Sequence, residues 1–297
     1  ETGSVRGDYG RVAVIKGDTG HLSYGRSQVT LGSGGLSKLL DAYGAAPGNR
    51  YGRHLAAYRP RVSQRDVALD DDAFLKNLLR ACADDVVMRD AQDALFEDGY
   101  WAPALRNASK RGLALPLSIA VVYDSLIQGS WAPISARTSG AVGEPAAAGE
   151  KAWVKRYVAE RRAWLENHSR SDLRGTAYRM HAFERLIEQD LWELELPFVV
   201  RSAEVSTLTL AAAPRGCYDG PPPGRRAVSL QTPILAGLDV RLMQLGLSKR
   251  GYGVVADALF GRGSVAAVKA YQVKQGVAAT GAADRGLVSA LAEPFAW

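Results

Sequence analysis

The chain has little cysteine: Cys82 and Cys217 are the only two in 297 residues. Two thiols cannot build a disulfide framework, and alone they cannot supply the four ligands of a structural zinc site. Cys82 lies in the helical pattern LLRACADDVV and is expected as a buried thiol; Cys217 lies in a turn-rich stretch, and a bridge between them stays open. No run of 18 apolar residues is present, which leaves no candidate transmembrane helix. No His/Cys cluster suggests a metal, and no cofactor motif stands out. Acidic excess is also missing, since 37 Lys and Arg outweigh 31 Asp and Glu for a formal charge of +6. A basic surface attracts nucleic acid, anionic lipid or an anionic cell wall. Nothing reads as a basic tail or a base-reading helix, so nucleic acid is not an expected partner. A cationic polymer is an awkward one on charge alone. No signal peptide is visible, and the start at Glu1 leaves room for one already removed.

What is present is enough chain for one large domain or two. Arg11–Ile15 (RVAVI) reads as a short strand flanked by glycine. Leu22–Tyr24 can pair with it as a hairpin through the GDTG turn. Leu36–Tyr43 reads as a helix. Asp70, Asp71 and Asp72 precede a helical pattern from Phe74 to Leu95 and suit its N-terminus. Leu113–Gln128, the most apolar stretch, is predicted as a central helix with Pro116 in its first turn. Tyr123 and Asp124 are then largely buried, with Asp124 a hydrogen-bonded structural acid. Arg137–Gly149 reads as a loop. Glu150–Asn167 is a helix with Trp153, Tyr157 and Trp164 on a core stripe. Ala177–Leu196 is another helix, ended by Pro197. From 211 to 232 the composition shifts to Pro and Gly, with three consecutive prolines, and reads as a stiffened linker. Three short helices follow in 233–297: Ile234–Leu245, Ser264–Gln275 and a last one in RGLVSAL. The division is thus 1–210, a linker at 211–232, and a compact three-helix binding module at 233–297.

The opening stretch carries the candidate chemistry. Glu1 and Asp18 flank the short apolar strand, a way to hold two carboxylates across a cleft, with Asp8 a third acid between them. Acids and glycines also make ordinary loops, and this second reading stays open on the residues alone.

The C-terminal unit resembles the type 1 peptidoglycan-binding domain family. Gln244, Asp257, Phe260, Gly261, Ala267, Val268, Tyr271, Gln272, Thr280 and Gly281 fall on its pattern, with Ala258 for the usual glycine and Tyr271 for the usual phenylalanine. The resemblance implies attachment to the cell wall. The first 210 residues resemble the lysozyme superfamily, closest to family 46 chitosanases. The resemblance rests on the segments ETGS, GDTGHLSYG and VVYDSLIQG, the last at Tyr123, Asp124 and Ile127. It implies a mainly α (α+β), lysozyme-like catalytic domain with a small β-hairpin or sheet. Glu1 would be the general acid, Asp18 the base, and Ser23 would stand where Thr positions the attacking water. Tyr24, Arg26 and Gln28 would then hydrogen-bond sugar groups, or else form a polar hairpin edge. His21 is read as a surface histidine in a turn. In chitosanases an Asp in this region recognises the substrate amine; here LGSGGL places Gly34 or Gly35 there.

With the basic charge and the wall-binding module, this departure shifts the expected substrate to peptidoglycan. The expected reaction is β-1,4 hydrolysis by general acid/base catalysis, inverting if the family comparison holds, with carboxyls roughly 6.5–9.5 Å or more apart. A catalytic acid is ordinarily fixed by a preceding helix, so Glu1 in that role is expected to need chain upstream or a helix from another segment; otherwise it is merely a terminus. Chitosanase activity and an inactive wall-binding protein are the alternatives. The expected partners are peptidoglycan glycan strands, and the expected location is extracellular or periplasmic and wall-associated. A delivered toxin or phage lysin, with a delivery system or immunity protein as partner, would use the same chemistry.

Overall fold

The computed structural model describes residues 5–296, which fall into two compact units. One joins the chain up to Asp93 with the segment from Ala213 onward; the other is the continuous stretch Ala94–Ala212. Glu1 lies outside the described residues. The chain is mainly helical with two small antiparallel sheets, as the sequence implies.

The first unit opens with β1 (Val12–Ala13), β2 (Ser23–Tyr24) and β3 (Val29–Thr30), hydrogen-bonded in that order. The predicted hairpin forms, with Val12 opposite Tyr24 and Ala13 opposite Ser23. It is shorter than expected: Val14 and Ile15 run on unpaired and exposed. The third strand went unpredicted, because two residues are too few to show an alternating pattern. α1 (Gly35–Ala45), α2 (Gly52–Leu55) and α3 (Arg59–Ser63) follow. The single helix expected from Phe74 to Leu95 is two, α4 (Ala73–Cys82) and α5 (Val86–Phe96). Asp72 caps α4 by accepting from the Leu75 N–H, as the acid run predicts. Asp85 causes the break. Its carboxylate caps the Val87 N–H while its other oxygen accepts from the Tyr43 hydroxyl at 2.7 Å and the Arg50 N–H at 2.8 Å. Cys82 is buried and free, as expected, and Cys217 is free too.

The second unit contains α6 (Ala102–Lys110), α7 (Pro116–Gln128), α8 (Trp131–Val142), α9 (Pro145–Ala148), α10 (Glu150–Glu166), α11 (Ser171–Arg174) and α12 (Tyr178–Glu188). An antiparallel hairpin, β4 (Phe198–Val200) and β5 (Ala203–Val205), and α13 (Thr207–Ala211) complete it. Trp153 and Tyr157 are fully buried and stack at 5.5 Å, with Trp131 against Tyr157 at 5.1 Å. The Arg111 guanidinium lies 5.7 Å from the Trp131 ring and 5.5 Å from that of Trp153. Trp164, the third member of the predicted stripe, is only partly buried. The loop expected at Arg137–Gly149 is largely helix. Small residues hide its period: Ser135 and Thr138 are buried, and their hydroxyls donate to the carbonyls of Ala132 and Ile134. α12 stops eight residues short of the predicted Leu196. Asp190 takes a left-handed φ of 56°, and Trp192 buries itself from the turn that follows.

The chain then returns to the first unit as α14 (Leu238–Lys249), α15 (Arg262–Lys274) and α16 (Arg285–Ala292). The helix expected from Ile234 starts at Leu238. The residues before it are fixed by antiparallel bridges Val228–Ala283 and Ala236–Leu259 instead. Val228, Val240, Met243, Phe260, Val268 and Leu291 form the core here. The polar residues of the resemblance staple this core. Gln244 donates to Asp257 Oδ1 and the Leu259 carbonyl and accepts from the Ala258 N–H. Gln272 accepts from the Gly281 N–H and donates to the Ala282 carbonyl.

α14 is buried on every side from Leu238 to Ser248, because it packs on α4 as well as on its own core. Asn77 on α4 donates to Ser248 Oγ and the Val254 carbonyl and accepts from the Ala256 N–H. Arg241 on α14 donates to the carbonyls of Arg80 and Gly216 and meets Asp84 at 3.1 Å. Asp84 also accepts from the Tyr218 N–H at 2.7 Å. Phe295 packs against His54 and Phe74. The segment read as a linker is thus anchored to the sheet-bearing part of the unit.

Candidate active site

Asp18 sits in the loop between β1 and β2. Its N–H donates to the Ile15 carbonyl, and its Oδ1 accepts from the Gly20 N–H at 3.1 Å. The side chain is exposed, and Oδ2 takes no partner among the described residues. The far end of the loop is tied by Asp70. One Asp70 oxygen accepts from the Leu22 N–H at 2.7 Å, and the other meets His21 Nδ1 at 2.8 Å. Below the loop, Gly32 makes a backbone approach that no side chain permits: a Cβ there would lie 2.2 Å from the Thr19 carbonyl oxygen. The loop is therefore held at both ends and from beneath while its carboxylate stays open to solvent.

Ser23 lies on β2 opposite Thr30, buried, with its hydroxyl donating to the His21 carbonyl at 3.2 Å. That bond uses the proton and leaves the oxygen's lone pairs as acceptors. Tyr24 is a correction. It is wholly buried beneath the sheet, where burial pushes its phenol well above the usual range, so it faces no ligand. Arg26 and Gln28 are also occupied within the protein. Arg26 donates to the Tyr9 hydroxyl at 2.9 Å and pairs with Asp93 at 3.2 Å. Gln28 donates to the carbonyls of Gly25 and Arg11. The structure places both on the polar hairpin edge. Asp8 accepts from the Gly10 N–H in a local turn.

Two positioning residues escaped the sequence reading. Gln92 accepts from the Arg26 N–H and donates to the Tyr9 carbonyl, which fixes the β2–β3 turn. Asp70 lies in the acid run that precedes α4 but does not cap it. The available signal was surplus, since one cap needs one acid and Asp72 supplies it. In the second unit, Asp124 is buried as expected. It accepts from Arg161 at 2.5 Å and from Arg179 at 2.7 Å, so two guanidiniums converge on one carboxylate. Arg161 is 1% exposed and could have been found from its place on the buried face of α10, one turn from Tyr157 and Leu165. Tyr123, expected to be largely buried, is only partly so and stands edge-on to Trp101 at 5.3 Å.

The family model for glycosyl hydrolase family 46 matches residues 1–198. The chain belongs to this family. A peptidoglycan binding domain model matches residues 236–291. A chitosanase of Bacillus subtilis (strain 168) is 26% identical over 227 residues, covering 71% of this chain and 80% of its own. The crystal structure of a mutant chitosanase from Bacillus subtilis MY002, complexed with 6 GlcN, superposes with a TM-score of 0.57 at 26% identity, over 66% of this chain and 87% of that one. A family 46 chitosanase from Gynuella sunshinyii in complex with chitotetraose, at 23% identity and a TM-score of 0.56 over 67% and 88%, shares the fold. The family 46 chain is a glycoside hydrolase of lysozyme-like fold with a C-terminal segment that matches the peptidoglycan binding domain, as the sequence implied. The preference for peptidoglycan over chitosan gains no support from these relatives, which are chitosanases.

Proposed function

We propose that the chain hydrolyses β-1,4 bonds of a glucosamine polymer of the chitosan type. The observation that carries the chemistry is the Asp18 loop: an exposed carboxylate, tied at both ends, with the Ser23 hydroxyl on the adjoining strand. The substrate class follows from the chitosanase relatives. Asp18, ionised, takes a proton from water as it attacks the anomeric carbon. Ser23 accepts a hydrogen bond from that water and so orients it. Glu1, placed by the family resemblance, donates a proton to the leaving oxygen. A water-activating base and a separate acid give inversion when the two carboxyls stand roughly 6.5–9.5 Å apart.

A second reading, cleavage of peptidoglycan strands, has its own support. The module at 236–291 matches a wall-binding family. Gly34 and Gly35 offer no carboxylate for a substrate amine, and the chain carries a charge of +6. The test is release of reducing ends from chitosan and from purified peptidoglycan in parallel, with Asp18→Asn as control. Release from chitosan, lost in the variant by about a thousandfold or more, supports the first reading. Release from peptidoglycan alone moves the assignment to the second. Asp18→Asn activity equal to that of the native chain would refute the role given to Asp18 in either.

A further inference from the structure

The second unit carries a groove that the hydrolytic chemistry does not use. It lies between one face of α12 and the β4–β5 hairpin and encloses about 370 Å³. Tyr178, His181 and Arg185 line it from one face of the helix, Gln189 from its C-cap, and Arg201 closes it from the hairpin turn. No carboxylate lines it. His181 Nε2 meets Glu166 Oε1 at 3.2 Å, so this ring is already engaged at the rim. Glu204, opposite Val199 on the neighbouring strand, shares the strand face of that lining residue but is not itself among the residues that line the space. Arg185 has no acidic partner among the described residues.

Arg201 is held in place by two separate features. Its backbone takes a left-handed φ of 58°, a conformation that ordinarily favours glycine or asparagine. Its guanidinium sits 4.4 Å from the centroid of the Tyr178 ring. Stacking leaves the in-plane N–H donors of a guanidinium free to point sideways. Two guanidiniums with free donors, one of them immobilised, face a space that no protein acid enters. Such a pair is matched by a planar anion that accepts two parallel hydrogen bonds.

We propose that this groove binds the carboxylate of an acidic wall saccharide, in the unit that does not contain Asp18. Carboxylate fits better than a neutral or cationic sugar because no acid among the lining residues balances Arg185 and Arg201. The wall-glycan reading supplies only the ligand's identity; the binding test stands or falls whether or not peptidoglycan is cleaved.

The test uses the full chain and N-acetylmuramic acid, with its methyl ester and N-acetylglucosamine as neutral counterparts. Binding is read from the arginine side-chain N–H resonances. The acid should shift the Arg185 and Arg201 signals in a saturable way, and the two neutral sugars should not. The double variant Arg185→Gln, Arg201→Gln, both at exposed positions, should weaken binding at least tenfold with an unchanged melting temperature. Equal response to acid and ester would overturn the proposal, as would an acid that moves neither arginine. Inorganic phosphate displacing the saccharide at lower concentration than acetate would overturn the choice of carboxylate.

Discussion

The contact between Asp84 and Arg241 makes a prediction about pH that no surface pair would make. Asp84 is 3% exposed, and burial pushes its carboxyl up to about 6 from an ordinary 3.8, against the opposing pull of Arg241 and the Tyr218 N–H. Arg241 does not cancel the burial. The two groups meet at 3.1 Å but off the hydrogen-bond direction, so the attraction is Coulombic without a directed bond. In the unfolded chain the same group titrates near 3.8. Between those values the folded protein holds a proton that the unfolded chain has released, so stability falls as pH rises through the interval. Roughly two units at about 1.4 kcal/mol each make the loss about 3 kcal/mol, fully incurred above pH 6 and absent below pH 4. The assay is chemical unfolding of the native chain and of Asp84→Asn at half-unit steps from pH 4 to 7. Asparagine keeps the shape and an acceptor for the Tyr218 N–H and has no proton to exchange. The difference between the two curves should slope by about 3 kcal/mol across the window. Parallel curves would refute the reasoning and show that water or local movement relieves the buried charge.

Trp153→Ala should destabilise the second unit by about 3–5 kcal/mol, since it empties the centre of the aromatic cluster and removes one face from Arg111; thermal unfolding checks it. Gly32→Ala should lower both melting temperature and turnover, because the added methyl must displace the Thr19 carbonyl beneath the Asp18 loop. Gly140→Ala, in α8 with open space around its Cβ, should stabilise by up to about 1 kcal/mol and leave turnover unchanged. A protease site placed at 220–224 and cleaved should leave the two fragments co-eluting on size exclusion, held by Asn77, Arg241 and Phe295. Elution of the C-terminal fragment alone would show that these contacts do not hold the unit together.

Much of this arrangement was readable from local signals. The hairpin, the capped start of α4, the Trp153–Tyr157 stripe and the buried Asp124 each depend on residues close in sequence, and each stands where the pattern put it. Several of the misreadings come from contact over long separations. α4 and α5 are divided because Asp85 answers Tyr43 and Arg50, some forty residues upstream. α14 looked like one face of a small module because its second partner, α4, lies more than 150 residues earlier. Asp70 reaches 48 residues back to Leu22. Tyr24 looked like a ligand contact because alternation shows which residues share a face of a strand and leaves open which face meets the core.

The discontinuous first unit has a consequence for biosynthesis. Its opening segment emerges from the ribosome well before the C-terminal helices that bury α4, and the whole second unit is made in between. At roughly 5–20 residues per second, that interval is on the order of ten seconds. The continuous second unit has all its partners by then and can fold while the α4 face still waits for α14. The α4 groups that meet the C-terminal segment, such as Phe74 and Asn77, are therefore exposed to chaperones, or to aggregation, for a period set by translation speed. Slowing synthesis of the last eighty residues should lengthen it.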